Sequence, residues 1–215
     1  MISKQSTNLI AGLDIETLDL SPSAVVMDIG IVIYDLEKQV EVCATNLTPS
    51  ISEQVIVGRT VSKDTVNFHV RNYHKTLDSL VAHASSYRPT VASVFHSMEE
   101  LLSPVSEIWI NGLSFDPVVL RSLFTSRGID RLPWNYRKEV DVRSFRTLFK
   151  RYGLGDDGGD GGDDGKHRAV HEAIADARWN LEIARSVHTT FRDVYTNLRG
   201  VHTSSGGAAQ PTLSS

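Results

Sequence analysis

The sequence predicts an α/β protein built on a mixed β-sheet of about five strands flanked by helices. Two observations predict it. The chain opens with three segments rich in β-branched residues, and then, from about Pro49, apolar positions recur at helical spacing around a short apolar strand. Antiparallel neighbours at the start followed by helix-strand alternation are the pattern of a mixed sheet.

Leu9 to Ile15 reads as the first strand. After the Ser21-Pro22-Ser23 turn, Ala24 to Tyr34 reads as a longer second strand, holding Ile29, Ile31, Val32 and Ile33. The polar break Asp35 to Gln39 separates it from a third strand over Val40 to Leu47, so a three-strand antiparallel meander is expected. Helices follow around Lys63 to His74 and Val91 to Leu102, divided by Arg88-Pro89. Glu107 to Asn111 is a short buried strand. Asp116-Pro117 starts a helix reaching about Arg127, with proline in its first turn and Gly128 past its end. Arg143 to Tyr152 and Glu172 to Asn197 complete the helices. Between the last two, Gly153 to Gly165 is a flexible acidic Gly/Asp loop without the ligand order of a calcium loop. Residues 1–199 are expected to form one domain, and residues 200–215 a disordered tail.

Composition excludes several classes. With 40% hydrophobic and 22% charged residues the chain of 215 residues is globular, and no apolar run approaches the length of about 18 that a membrane span needs. No secretory signal opens the sequence, so a cytoplasmic protein without membrane association is expected. The single cysteine, Cys43, excludes an intramolecular disulfide and reads as a small buried hydrophobe. The net charge of −4 argues against nonspecific coating of nucleic acid, yet Arg121 to Arg151 holds nine basic residues against three acidic ones. That run is either a phosphate-facing surface or a set of solvated helix faces.

Three short motifs carry chemistry: Leu13-Asp14-Ile15-Glu16-Thr17, Asn111-Gly112-Leu113-Ser114-Phe115-Asp116 and His171-Glu172-Ala173-Ile174-Ala175-Asp176. On a strand, residues two apart share a face, so Asp14 and Glu16 project together while Ile15 points away. Two adjacent carboxylates repel unless a cation lies between them. Asp116 falls beyond the carboxyl end of a strand, where α/β sheets present ligand groups, although an aspartate before proline also starts a helix well. Asp176 lies on a helix among Ala173, Ala175 and Ala177, where a carboxylate requires a partner. His171 precedes it by about one turn and has the proton affinity of a general base at neutral pH. Phosphodiester hydrolysis needs a nucleophile, charge neutralisation and leaving-group stabilisation, which two divalent ions on carboxylates supply together.

Together these motifs resemble the DEDDh subclass of the DEDD exonucleases, which share the ribonuclease H-like fold. The tyrosine subclass would want tyrosine where Glu172 stands. The segments Asp64 to His69, Trp109 to Asp116, Pro133 to Tyr136 and Asp141 to Arg143 look like the branch containing T-even phage exonuclease A and the mycobacterial exoribonuclease-like domain. The likeness covers roughly residues 10 to 185. It implies a 3′–5′ exonuclease with two Mg²⁺ or Mn²⁺ ions on Asp14, Glu16, Asp116 and Asp176, and His171 as general base. It further implies Thr17, Leu18, Asn111 and Phe115 as substrate contacts. The expected partner is a single-stranded 3′ end, DNA favoured over RNA, in a setting such as nucleotide salvage from degraded host DNA. Related folds often pair subunits, which leaves a homodimer open. The opposing readings are an end-binding module without catalysis, which would have lost a carboxylate, and a proofreading subunit dependent on a polymerase.

Overall fold

The computed structural model describes residues 8–72, 88–154 and 172–204. Its five strands are β1 (Leu9–Thr17), β2 (Val26–Asp35), β3 (Val40–Leu47), β4 (Glu107–Ile110) and β5 (Glu139–Asp141), in the order β3-β2-β1-β4-β5. The first three form the expected antiparallel meander, while β4 and β5 join in parallel, so β1 is the central strand and is paired on both sides.

Six helices are present among the described residues: α1 (Ile51–Ile56), α2 (Lys63–Asn72), α3 (Val91–Leu102), α4 (Asp116–Thr125), α5 (Val142–Tyr152) and α6 (Ala173–Ser204). Their ends carry recognisable stops. Thr90 accepts from the Ser93 amide at the start of α3, Asp141 accepts from Ser144 at the start of α5, and Gly153 at φ 60° takes the left-handed position that ends α5. None of these helices is long and apolar enough to cross a membrane.

Alternation along β1 divides the core into two layers. Ala11, Leu13 and Ile15 face a larger cluster with α3 and α4, built on Val94, Phe95, Met98, Leu120, Leu123 and Phe124. Ile10 faces the opposite layer with Trp109, Phe149, Ala177, Leu181 and Ala184, under α5 and α6. Two glycines bring α6 onto that second face. A Cβ on Gly12 would lie 2.0 Å from the Ala177 carbonyl oxygen, and one on Gly30 would lie 2.1 Å from that of Ala173. The Asn180 amide, fully buried, donates to the Leu13 carbonyl at 2.9 Å and ties the second turn of the helix to β1.

The structure departs from the sequence reading in several places. Helix α1 and strand β5 are additional elements, each too short to show periodicity. Helix α6 continues to Ser204 instead of ending near Asn197, because one glycine costs a helix already propagating only about 1 kcal/mol, so Gly200 does not stop it. Cys43 is half-buried on β3 and packs against the edge of the first core. The Gly/Asp loop from 155 to 165, the last residues of the expected helix ending at His74, and the tail beyond Ser204 lie outside the described residues.

Candidate active site

Strand β1 runs on past the last residue it pairs with on β4, the Leu13–Ile110 position. Asp14 and Glu16 therefore stand beyond the carboxyl end of β4, on the face covered by α6. The Gly112-to-Phe115 loop leaves the same end of β4 and delivers Asp116 as the first residue of α4. No side chain caps that helix. Above, the close seat of Ala173 and Ala177 on the sheet glycines lowers the residue between them, Asp176, toward β1.

The result is a cluster in which carboxylate oxygens of Asp14, Glu16 and Asp176 all lie within 4.8 Å of one another. Glu16 and Asp116 are buried, while Asp14 and Asp176 are half-buried. Burial raises the Asp14 carboxyl well above the ordinary range, and the charges of Asp116, Asp176 and Glu16 raise it further. Asp116 is pushed up to about 7, mainly by burial, with the Arg143 guanidinium pulling the other way. Asp176 is pushed up to about 6 by burial and by Glu172. Oxygen donors crowded this closely, at an energetic cost when ionised, suit a hard divalent cation that prefers carboxylates.

Of the residues the sequence singles out, Asp14, Glu16 and Asp176 thus come together, and Asp116 stands beside Asp14 as its strongest neighbouring charge. Thr17 is buried, with its hydroxyl donating to the Asp19 carbonyl at 2.7 Å. Leu18 packs at the edge of a small cluster of Val25, Met27 and Ile51. Asn111 is half-buried, and its Oδ1 is enclosed with no hydrogen-bond partner among the described residues. The Phe115 ring packs against the first core. His171 lies outside the described residues.

Three contributors escape the sequence reading. Arg143, from the first turn of α5, lies against Gly112, and its Nη2 is 3.1 Å from where a Cβ there would be. That glycine, at φ 114°, both turns the chain and leaves room for the guanidinium. His69 is buried and its Nε2 pairs with the Thr17 carbonyl at 2.9 Å, anchoring the end of β1 to α2. Asn180 is the third. Asp141-Val142-Arg143 as a motif hinted at the first, but the direction of a long side chain depends on packing. The Asp64 to His69 segment carries part of the resemblance without giving His69 a role, and nothing in the sequence marks Asn180 among other polar helix residues.

The 3′–5′ exoribonuclease Rv2179c-like domain matches residues 10–188. The chain belongs to the Rv2179c-like family. Its fold is also that of solved nucleases at low sequence identity. E. coli exonuclease I in complex with a 5cy-dA13 oligonucleotide is similar at a TM-score of 0.57 and 18% identity over 88% of this chain and 43% of that one. Cell-death related nuclease 4 gives 0.58 and 17%, over 85% and 64% of the two chains. The nuclease domain of 3′hExo, a DEDDh family member bound to rAMP, gives 0.55 and 13%, over 87% and 94%. The chain therefore spans less than half the length of exonuclease I. No curated protein matches it in sequence. The open five-strand mixed sheet is the fold shared with these solved nucleases, and the family to which the chain belongs is described as a 3′–5′ exoribonuclease domain.

Proposed function

We propose that the chain hydrolyses the terminal phosphodiester of single-stranded nucleic acid from its 3′ end and releases 5′-mononucleotides. Two Mg²⁺ or Mn²⁺ ions would be held by Asp14, Glu16, Asp116 and Asp176. The observation that carries this reading is the convergence of three carboxylates within 4.8 Å, with a fourth alongside, at the carboxyl end of the central strands. Ions bound there would supply neutralisation of phosphate charge, a nucleophile at neutral pH and stabilisation of the departing oxygen.

The chain's own groups set up the rest. Asp14 and Glu16 come from one continuous strand held in register by β2, which fixes their separation, and Asp176 closes the opposite wall. The Arg143 guanidinium offers a fixed positive charge beside Asp116, suited to a phosphate oxygen. Thr17 and Leu18, at the end of β1, are assigned to border the terminal nucleotide, and the enclosed Asn111 Oδ1 is an acceptor available to a donor. Phe115 is a further assigned contact. His171, five residues before Asp176 in the sequence, is assigned as the general base that takes a proton from water. The sequence favours DNA as the substrate, and the description of the family as an exoribonuclease domain favours RNA as the second reading.

The test incubates the purified protein and its Asp14→Ala variant with 3′- and 5′-labelled single-stranded DNA and RNA of one sequence, in Mg²⁺, Mn²⁺ or EDTA. Metal-dependent shortening from the 3′ end by the wild type alone is expected, and the two sugars are ranked in the same gel. Asp176→Ala should be equally inactive, whereas His171→Ala should slow cleavage by about 10²–10⁴-fold. Binding without cleavage under every metal would favour an end-binding module.

A further inference from the structure

The basic run between Arg121 and Arg151 can be sorted by partner. Arg127 pairs with Glu53, and Arg131 pairs with Glu99 at 2.7 Å while lying over the Phe95 ring. Lys138 donates to the Leu102 and Ser103 carbonyls at 3.0 and 3.1 Å. Arg146 lies over Trp179. These cations are committed to the fold. Arg121, exposed on α4, has no ion pair or hydrogen bond among the described residues, and Arg137 contacts only the Tyr136 side chain, its guanidinium 5.8 Å from the ring centroid.

Arg121 lines one surface feature, and Arg137 stands against the Tyr136 that lines it too. An open trough of about 640 Å³ is lined by Leu113, Pro117, Val118, Arg121, Leu132 and Tyr136, and a second of about 490 Å³ adjoins it and shares Arg121, Leu132 and Tyr136. Tyr136, where the two meet, is 65% exposed, a large aromatic surface left in water. The acids at the rims are occupied: Glu139 accepts from the Trp134 indole at 2.9 Å, and Glu99 holds Arg131. The near end of the trough borders the loop and first turn that carry Asp116, since Leu113 and Pro117 line it and stand three residues before and one after that carboxylate.

We propose that this trough is the track for the single strand upstream of the scissile bond. In it a base from the third or fourth nucleotide, counted from the 3′ end, stacks on Tyr136 while Arg121 and Arg137 meet the adjoining phosphates. The proposal rests on the exonuclease reading. An exposed aromatic between unpaired guanidiniums, without groups arranged to read base edges, is how proteins hold a single strand independently of sequence. Charge selects the occupant: a neutral peptide or apolar partner would leave Arg121 and Arg137 without counterions, whereas each nucleotide brings one phosphate.

The test measures anisotropy of a 5′-labelled single strand of about ten nucleotides in EDTA, where no turnover occurs, alongside hydrolysis of a dinucleotide and of the long strand in Mg²⁺. Arg121→Ala and Tyr136→Ala should each weaken binding of the long strand about fivefold or more, and Tyr136→Phe should retain it. Arg121→Ala should also flatten the salt dependence by about 0.7 in log–log slope. Dinucleotide hydrolysis should stay within about twofold of wild type, since that substrate does not reach the track. Both substituted positions are exposed, and an unchanged circular dichroism melt checks their folding. Equal affinity in wild type and both alanine variants would overturn the track, whether or not the protein cleaves. Loss of affinity in a protein that hydrolyses neither substrate would support the track and overturn the nuclease reading.

Discussion

A single residue, Asp14, records the tension in the site. It is the carboxylate most penalised by burial and by like charge, surrounded by Asp116, Asp176 and Glu16. Removing its charge should relieve the metal-free fold even as it destroys metal binding. Asp14→Asn is expected to raise Tm in EDTA by about 2–4 °C, the equivalent of roughly 1 kcal/mol in a chain of this size, while abolishing hydrolysis. A melt unchanged or lowered would show that the crowding is relieved in some other way. The raised carboxyls also set a pH dependence. A group whose folded pKa lies above its unfolded value contributes stability fully below the unfolded value, and that contribution is lost as pH rises through the folded one. Here the window runs from about 4 to the values of about 6 and 7 for Asp176 and Asp116. The metal-free protein should therefore lose stability through this term between pH 4 and 8. Because ions compete with these protons, Mg²⁺ should raise Tm more at pH 8 than at pH 5, which scanning calorimetry with and without EDTA would measure.

At the scale of elements, the seat of α6 on the sheet decides whether the cluster exists. Gly12→Ala would push a methyl group into the Ala177 carbonyl, and Gly30→Ala into that of Ala173, both backbone atoms unable to swing aside. Each substitution should destabilise by about 1–3 kcal/mol or more and displace the first turns of α6. Metal affinity, read by isothermal titration, should fall further than the loss of stability alone accounts for. Retained affinity in a folded Gly12→Ala protein would mean that Asp176 does not depend on this contact. The same comparison explains what was legible in the chain. Asp-x-Glu on β1 is readable because strand periodicity puts both side chains on one face, and Asp116 because Pro117 marks a helix start just after an apolar strand. Strand β5 is hidden because three half-buried residues, Glu139 to Asp141, carry no alternation, and its pairing with β4 is a long-range fact. The importance of Gly12 and Gly30 is hidden too, since a glycine in a strand looks the same whether it bends the chain or admits a neighbour.

Across the whole molecule, Arg59 binds together parts that the catalytic motifs do not mention. Buried, and without a carboxylate partner among the described residues, its guanidinium donates to the Ala24 carbonyl at 2.6 and 2.9 Å and to the Ser122 hydroxyl at 3.2 Å, joining the β1–β2 turn to α4. Burial lowers its pKa to about 10, so it remains charged at neutral pH. Arg59→Met would strand these acceptors and should cost about 2–4 kcal/mol, seen as a fall in Tm of roughly 5–15 °C. A smaller change would assign the join to apolar packing. The order of the carboxylates along the chain has a further consequence, in time. Two stand near the amino end, one near the middle and one on the last helix, so during synthesis no metal-binding pocket can close until Asp176 has left the ribosome and α6 has docked. On the proposed nuclease reading, a partly made chain would lack the fourth carboxylate and stay inactive until α6 is in place.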